Sequence, residues 1–168
     1  SPGSGSDDSV GLLRIISNFK KKIIVTSFAS NVALMETLFY FVQKTNRQIS
    51  LVGRSMHRIF KAARQCGYLQ NVIQPVDQRD AKNIGREKII YLCTGSQGEP
   101  MGAMKRISSG IHPDVYLEKG DAVIFSSKII PGNEKKLYAM QNEIAKNDVD
   151  IITEDNAFVH VSGHPNRD

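Results

Sequence analysis

Two histidines, His160 and His164, bracket Val161-Ser162-Gly163 near the end of the 168-residue chain. Imidazole and hydroxyl groups can both donate hydrogen bonds, and a glycine lets the backbone come close to a ligand. That set suits an oxyanion. The apolar run from Ala157 to Val161 reads as a buried strand, with these residues at its carboxyl end. In an open α/β sheet that edge is where ligands bind. A lone strand-end histidine is more often structural, but a pair around Ser-Gly favours a functional role. The chain stops four residues after His164 and is read as a piece of something larger.

Three other strands end in small hydrogen-bonding residues: Thr26-Ser27-Phe28-Ala29-Ser30-Asn31, Thr94-Gly95-Ser96-Gln97-Gly98 and Phe125-Ser126-Ser127. In a parallel sheet all such ends are expected on one edge. Hydroxyls and helix-start N–H groups there make anion seats, so the expected ligand is phosphate-like. Ser30-Asn31 also reads as a plain helix cap, and Gly95-Ser96-Gln97-Gly98 as a plain tight turn. Neither a Walker loop nor a Gly-x-Gly-x-x-Gly string occurs, which weighs against nucleotide hydrolysis and dinucleotide binding. Arg54, Arg58 and Lys128 follow strand ends and could reach a phosphate. Lys20-Lys21-Lys22 reads as a solvated helix end, His57 as solvated and His112 as incidental. Glu99-Pro100 reads as a helix start.

The elements that must hold these groups alternate. A helix capped by Asp7 or Ser9 ends at Lys20–Lys22, and residues 1–6 read as a flexible leader. Strands follow at 22–28, 48–52, 87–94, 121–126, 149–153 and 157–161. Helices are expected over 32–44, over 56–66 with Ser55 as cap, over 101–108 and over 134–146, with a short one inside 75–85. Residues 72–74 read as a short edge strand or a passage into a loop. Most strands are continuous apolar runs. That predicts an α/β fold with a mainly parallel sheet of about five to six strands and helices on both faces.

The composition is that of one soluble domain, with 40% hydrophobic and 23% charged residues. No apolar run approaches the roughly 20 residues of a membrane helix. Cys66 and Cys93 read as buried small hydrophobes in a reducing, cytoplasmic setting, with no cysteine pair spaced for zinc. The formal net charge of +5 is mild support for a polyanionic partner.

Several strings occur together in a familiar order. They are Val25-Thr26-Ser27-Phe28-Ala29-Ser30-Asn31, Gly53-Arg54-Ser55-Met56, Cys93-Thr94-Gly95-Ser96-Gln97-Gly98-Glu99-Pro100, Val123 to Ser127 with Ile130 to Glu134, and Val159 to His164. Through them the chain resembles the beta-CASP domain of the bacterial ribonuclease J family, a Rossmann-like domain inserted in a metallo-β-lactamase domain. The resemblance implies RNA as substrate, phosphodiester hydrolysis in 5′-to-3′ exonuclease and endonuclease modes, and two zinc or manganese ions. Its metal motif, His-x-His-x-Asp-His, does not occur here, so metal ligands are expected on the lactamase domain and none in this chain. The family's Asp-Ser-Thr motif is expected before residue 1, and lactamase and C-terminal domains are expected outside the chain. His164 resembles the family's catalytic-support histidine. His160, Ser162 and Gly163 resemble its 5′-phosphate pocket, with Ser30, Asn31 and Ser96 as further RNA contacts. The implied parent is a cytoplasmic homodimer or tetramer, and this part alone is expected not to cleave RNA. Two rivals stand beside this reading: a stand-alone α/β module for a small phosphorylated ligand, and an assembly piece.

Overall fold

A computed structural model describes residues 2–153 and 160–161, with side chains from 10 to 153. Buried apolar runs make its strands: β1 (Ile23–Thr26), β2 (Gln48–Val52), β3 (Ile89–Cys93), β4 (Ala122–Phe125) and β5 (Asp150–Thr153). All five are parallel, in the order β2-β3-β1-β4-β5. The register sets Thr26 level with Cys93 on one side and Phe125 on the other. β6 (His160–Val161) adds an antiparallel sixth strand beside β5.

Residues along each strand point alternately to two cores. Ile23, Val25, Ile90 and Leu92 face α1 (Pro2–Asn18), α2 (Val32–Lys44) and α3 (Arg54–Gln65). Ile24, Tyr91, Cys93, Val123 and Phe125 face α4 (Gln78–Ala81), α5 (Ala103–Ser108) and α6 (Glu134–Ala145). Strands covered on both faces read as continuous apolar runs, as the sequence shows. In α2, Leu34, Met35, Leu38, Phe39 and Val42 recur at helical spacing and are buried. Phe39 stacks on Phe60 of α3 with ring centroids 5.3 Å apart.

Some local expectations are corrected. α1 begins at Pro2, so residues 2–6 are helical rather than a flexible leader, and neither Asp7 nor Ser9 is its cap. Proline suits a first helical turn, where no N–H partner is needed. α3 begins at Arg54 after Gly53, not after Ser55. Gly53 has φ +110°, and a Cβ there would collide with the Thr94 side chain. Residues 72–74 form no strand; Val76 N–H donates instead to Ile49 O at 2.8 Å. Cys66 is exposed, while Cys93 is buried.

Lys22 is not a solvated helix end. It is 5% exposed at the amino-terminal edge, 3.2 Å from Glu118 and 3.4 Å from Asp121, with Tyr116 beneath it. Arg86 reaches the same Asp121 carboxylate, which also accepts from Glu118 N at 2.8 Å. Among the described residues no helix is long and apolar enough to cross a membrane.

Candidate functional site

β1 leads into α2 on one face of the sheet, while its neighbours β3 and β4 lead into α5 and α6 on the other. The connection from β1 thus parts from those of both its neighbours at the carboxyl edge, which is the position where open α/β sheets bind ligands. The loops after β1, β3 and β4 therefore meet there, as expected.

β6 does not join them. It runs antiparallel, with His160 level with Ile152 and Val161 level with Ile151. Its carboxyl end therefore points toward the amino-terminal edge, against the expectation that all strand ends share one rim. Ser162, Gly163 and His164 lie outside the described residues, and of His160 only the backbone is described.

The strand-end hydroxyls that looked like anion seats are turned inward. Thr26 Oγ1 donates to Cys93 O at 3.1 Å, and Ser27 Oγ to Ser126 O at 3.2 Å. Ser27 N bonds Cys93 O, and Ser126 N bonds Thr26 O. These four bonds extend the sheet past its last paired residues and close the seams beside β1. Asn31 Oδ1 accepts from Leu34 N at 3.0 Å and so caps α2. Ser30 is exposed in the turn before it, next to the partly exposed Phe28. Ser96 is 1% exposed, and its hydroxyl has no hydrogen-bond partner. A buried orphan hydroxyl costs about 1–3 kcal/mol.

Gln97, which sequence reasoning passed over, is the best-connected side chain of the edge. Its carboxamide nitrogen donates to Lys128 O at 2.9 Å and Ser127 Oγ at 3.4 Å. Its oxygen accepts from Ile130 N at 2.9 Å and Asn133 Nδ2 at 3.3 Å. Its own N–H donates to Glu99 Oε1 at 2.9 Å. The β3–α5 loop is thus locked to the β4–α6 loop. Gly98 allows the fit: a Cβ there would lie 2.9 Å from the Lys136 carbonyl carbon of α6. A glutamine between two glycines gives no signal of such a role in one sequence.

The cations at this edge are Arg54, Arg58 and Lys128, all exposed and without an ion-pair partner among the described residues. The exposed carboxylates Glu99 and Glu134 lie there too, in the β3–α5 loop and at the start of α6. The nearest thiol is no nucleophile, because burial pushes the Cys93 pKa far up. His57 is exposed on α3. His112 serves the fold: its Nδ1 accepts from Asp114 N and Val115 N, each at 3.1 Å. Among the described residues, no three His, Cys, Asp or Glu side chains are grouped to hold a metal. What the described edge offers to an anion is three unpaired cations, Arg54, Arg58 and Lys128, beside the loops that meet there.

Comparison with known proteins adds to this geometry. Residues 20–144 match the family model described as "Ribonuclease J, beta-CASP domain". A ribonuclease J from Sinorhizobium meliloti is 35% identical over 159 residues, which is 95% of this chain and 28% of that protein. One from Mycobacterium tuberculosis H37Rv is 37% identical over 167 residues, 97% of this chain and 30% of that protein. Ribonuclease J 1 of Streptococcus pyogenes is 37% identical over 96% of this chain and 29% of its own length. The chain thus spans less than a third of the length of these relatives.

Proposed function

Since the chain belongs to the beta-CASP family of ribonuclease J, we propose that it is the RNA-holding domain of a metal-dependent ribonuclease. The observation that carries this reading is the carboxyl edge beside β1, where the loops after β1, β3 and β4 meet and Arg54, Arg58 and Lys128 are exposed. RNA backbone lies along those cations, and counterion release makes its binding fall with salt. The metals, zinc or manganese, have no ligand set among the described residues, and in this reading they sit on a metallo-β-lactamase domain. Hydrolysis then needs that domain, and this chain alone binds without cutting.

In this reading His160, Ser162 and Gly163 form the 5′-monophosphate pocket, while Ser30, which follows β1 at the carboxyl edge, meets the RNA apart from it. His164 steadies the scissile phosphate or the leaving oxygen. The parent is a cytoplasmic homodimer or tetramer, in keeping with two cysteines outside any disulfide.

The test titrates the chain with a short single-stranded RNA carrying a 5′ monophosphate or a 5′ hydroxyl, at two salt concentrations. Salt-sensitive binding that favours the monophosphate is expected, without cleavage. Equal affinity for a free nucleoside monophosphate and the whole oligonucleotide would favour a small-ligand module instead. In a protein that carries the lactamase domain, His164→Ala should lower turnover far more than affinity. Equal losses would remove its transition-state role.

A further inference from the structure

The exposed Lys128 is rooted in backbone that a buried side chain holds by hydrogen bonds. Ser127 and Lys128 follow β4 after Ser126 and lead into Ile129-Ile130-Pro131-Gly132, a connection with no regular structure of its own. Four bonds to Gln97 hold this connection from 127 to 133, and Gly132 N donates to Glu134 Oε1 at 2.8 Å. The Gln97 side chain is 2% exposed, so water competes little for those bonds. A cation on a mobile loop loses entropy when it meets a phosphate, and one on a fixed root loses less.

We propose that Gln97 is the positioning residue that holds Lys128 against the RNA backbone, by locking the β3–α5 loop to the β4–α6 loop. This rests on the RNA reading above and names a residue that the reading does not assign. Gln97 itself touches no RNA. Only a carboxamide fits the role, because two acceptors (Ser127 Oγ and Lys128 O) and two donors (Ile130 N and Asn133 Nδ2) converge on one planar group. A carboxylate in its place has no proton to give the Lys128 carbonyl.

The test is a mutant cycle read as the slope of log affinity against log salt, using a short 5′-monophosphorylated oligoribonucleotide and the whole chain. Each phosphate contact to a single strand contributes about 0.7 to that slope. Lys128→Ala is expected to reduce the slope by about 0.7. Gln97→Met, which removes the hydrogen bonds and adds no charge, is expected to reduce it by the same amount, and the double variant no further. Loss of packing alone lowers the melting temperature but leaves the number of phosphate contacts, and hence the slope, unchanged. Should Gln97→Met fail to fold, Gln97→Leu also lacks the hydrogen bonds without adding charge and carries the same expectation. A full slope in a folded Gln97 variant, or in Lys128→Ala, overturns the proposal while the RNA reading stands. Absence of RNA binding by the unaltered chain overturns the reading beneath it.

Discussion

His112 binds two backbone donors through one ring nitrogen, a job only the neutral imidazole can do. Burial and the nearby Arg106 cation hold its pKa below the usual 6.5, with Asp114 opposing. Between the folded and unfolded pKa values the unfolded chain binds more protons, so stability rises with pH. The contribution is fully present above the unfolded value and is lost as pH falls toward the depressed one. Urea midpoints taken from about pH 7.5 to about pH 5.5 should fall on acidification, and His112→Asn should flatten that fall. An identical slope in both proteins would show that His112 is not the group. Single-residue roles were the least legible from sequence. The hydroxyls of Thr26 and Ser27 were right in place and wrong in direction, because their acceptors lie on neighbouring strands. Lys22 looked solvated because Glu118 and Asp121 are about a hundred positions away in the chain.

Elements were far more legible. The bounds of α2 and β2 match the sequence reading to the residue, because Asn31 marks a helix start and Lys44 and Gln48 flank an abrupt change of period. Helix α3 was misplaced by two residues, since Ser55 is the better cap by type while Gly53 is required by backbone conformation. Gly53→Ala should therefore destabilise the chain by about 2 kcal/mol, from the strained φ and the collision with Thr94 together. Thr94→Ala beside it removes the colliding oxygen and methyl and should recover part of the loss, and chemical denaturation of the three variants measures both. β6 was expected to run with the others. A strand as short as His160–Val161 carries no periodicity that tells direction, and its partner β5 lies at the end of the parallel order.

Across the whole molecule, one carboxylate ties the amino-terminal edge together. Asp121 is fully buried at the start of β4 and joins Lys22, Arg86 and the Glu118 backbone. Removing one member of a buried network leaves charge unpaired, so Asp121→Asn should cost about 3 kcal/mol. A thermal melt within a degree of the parent would show the network to be dispensable. The fold class followed from apolar runs alternating with amphipathic stretches, whereas the pairing order β2-β3-β1-β4-β5 could not, since each crossover is written in tertiary packing. That order has a consequence for synthesis on the ribosome. β1 emerges first yet sits between β3 and β4, so both of its hydrogen-bonding flanks stay bare until residue 93 and then residue 125 have left the exit tunnel. Until then the nascent chain carries Ile-Ile-Val-Thr as an open template, and that interval is when this strand is most exposed to pairing with the wrong neighbour.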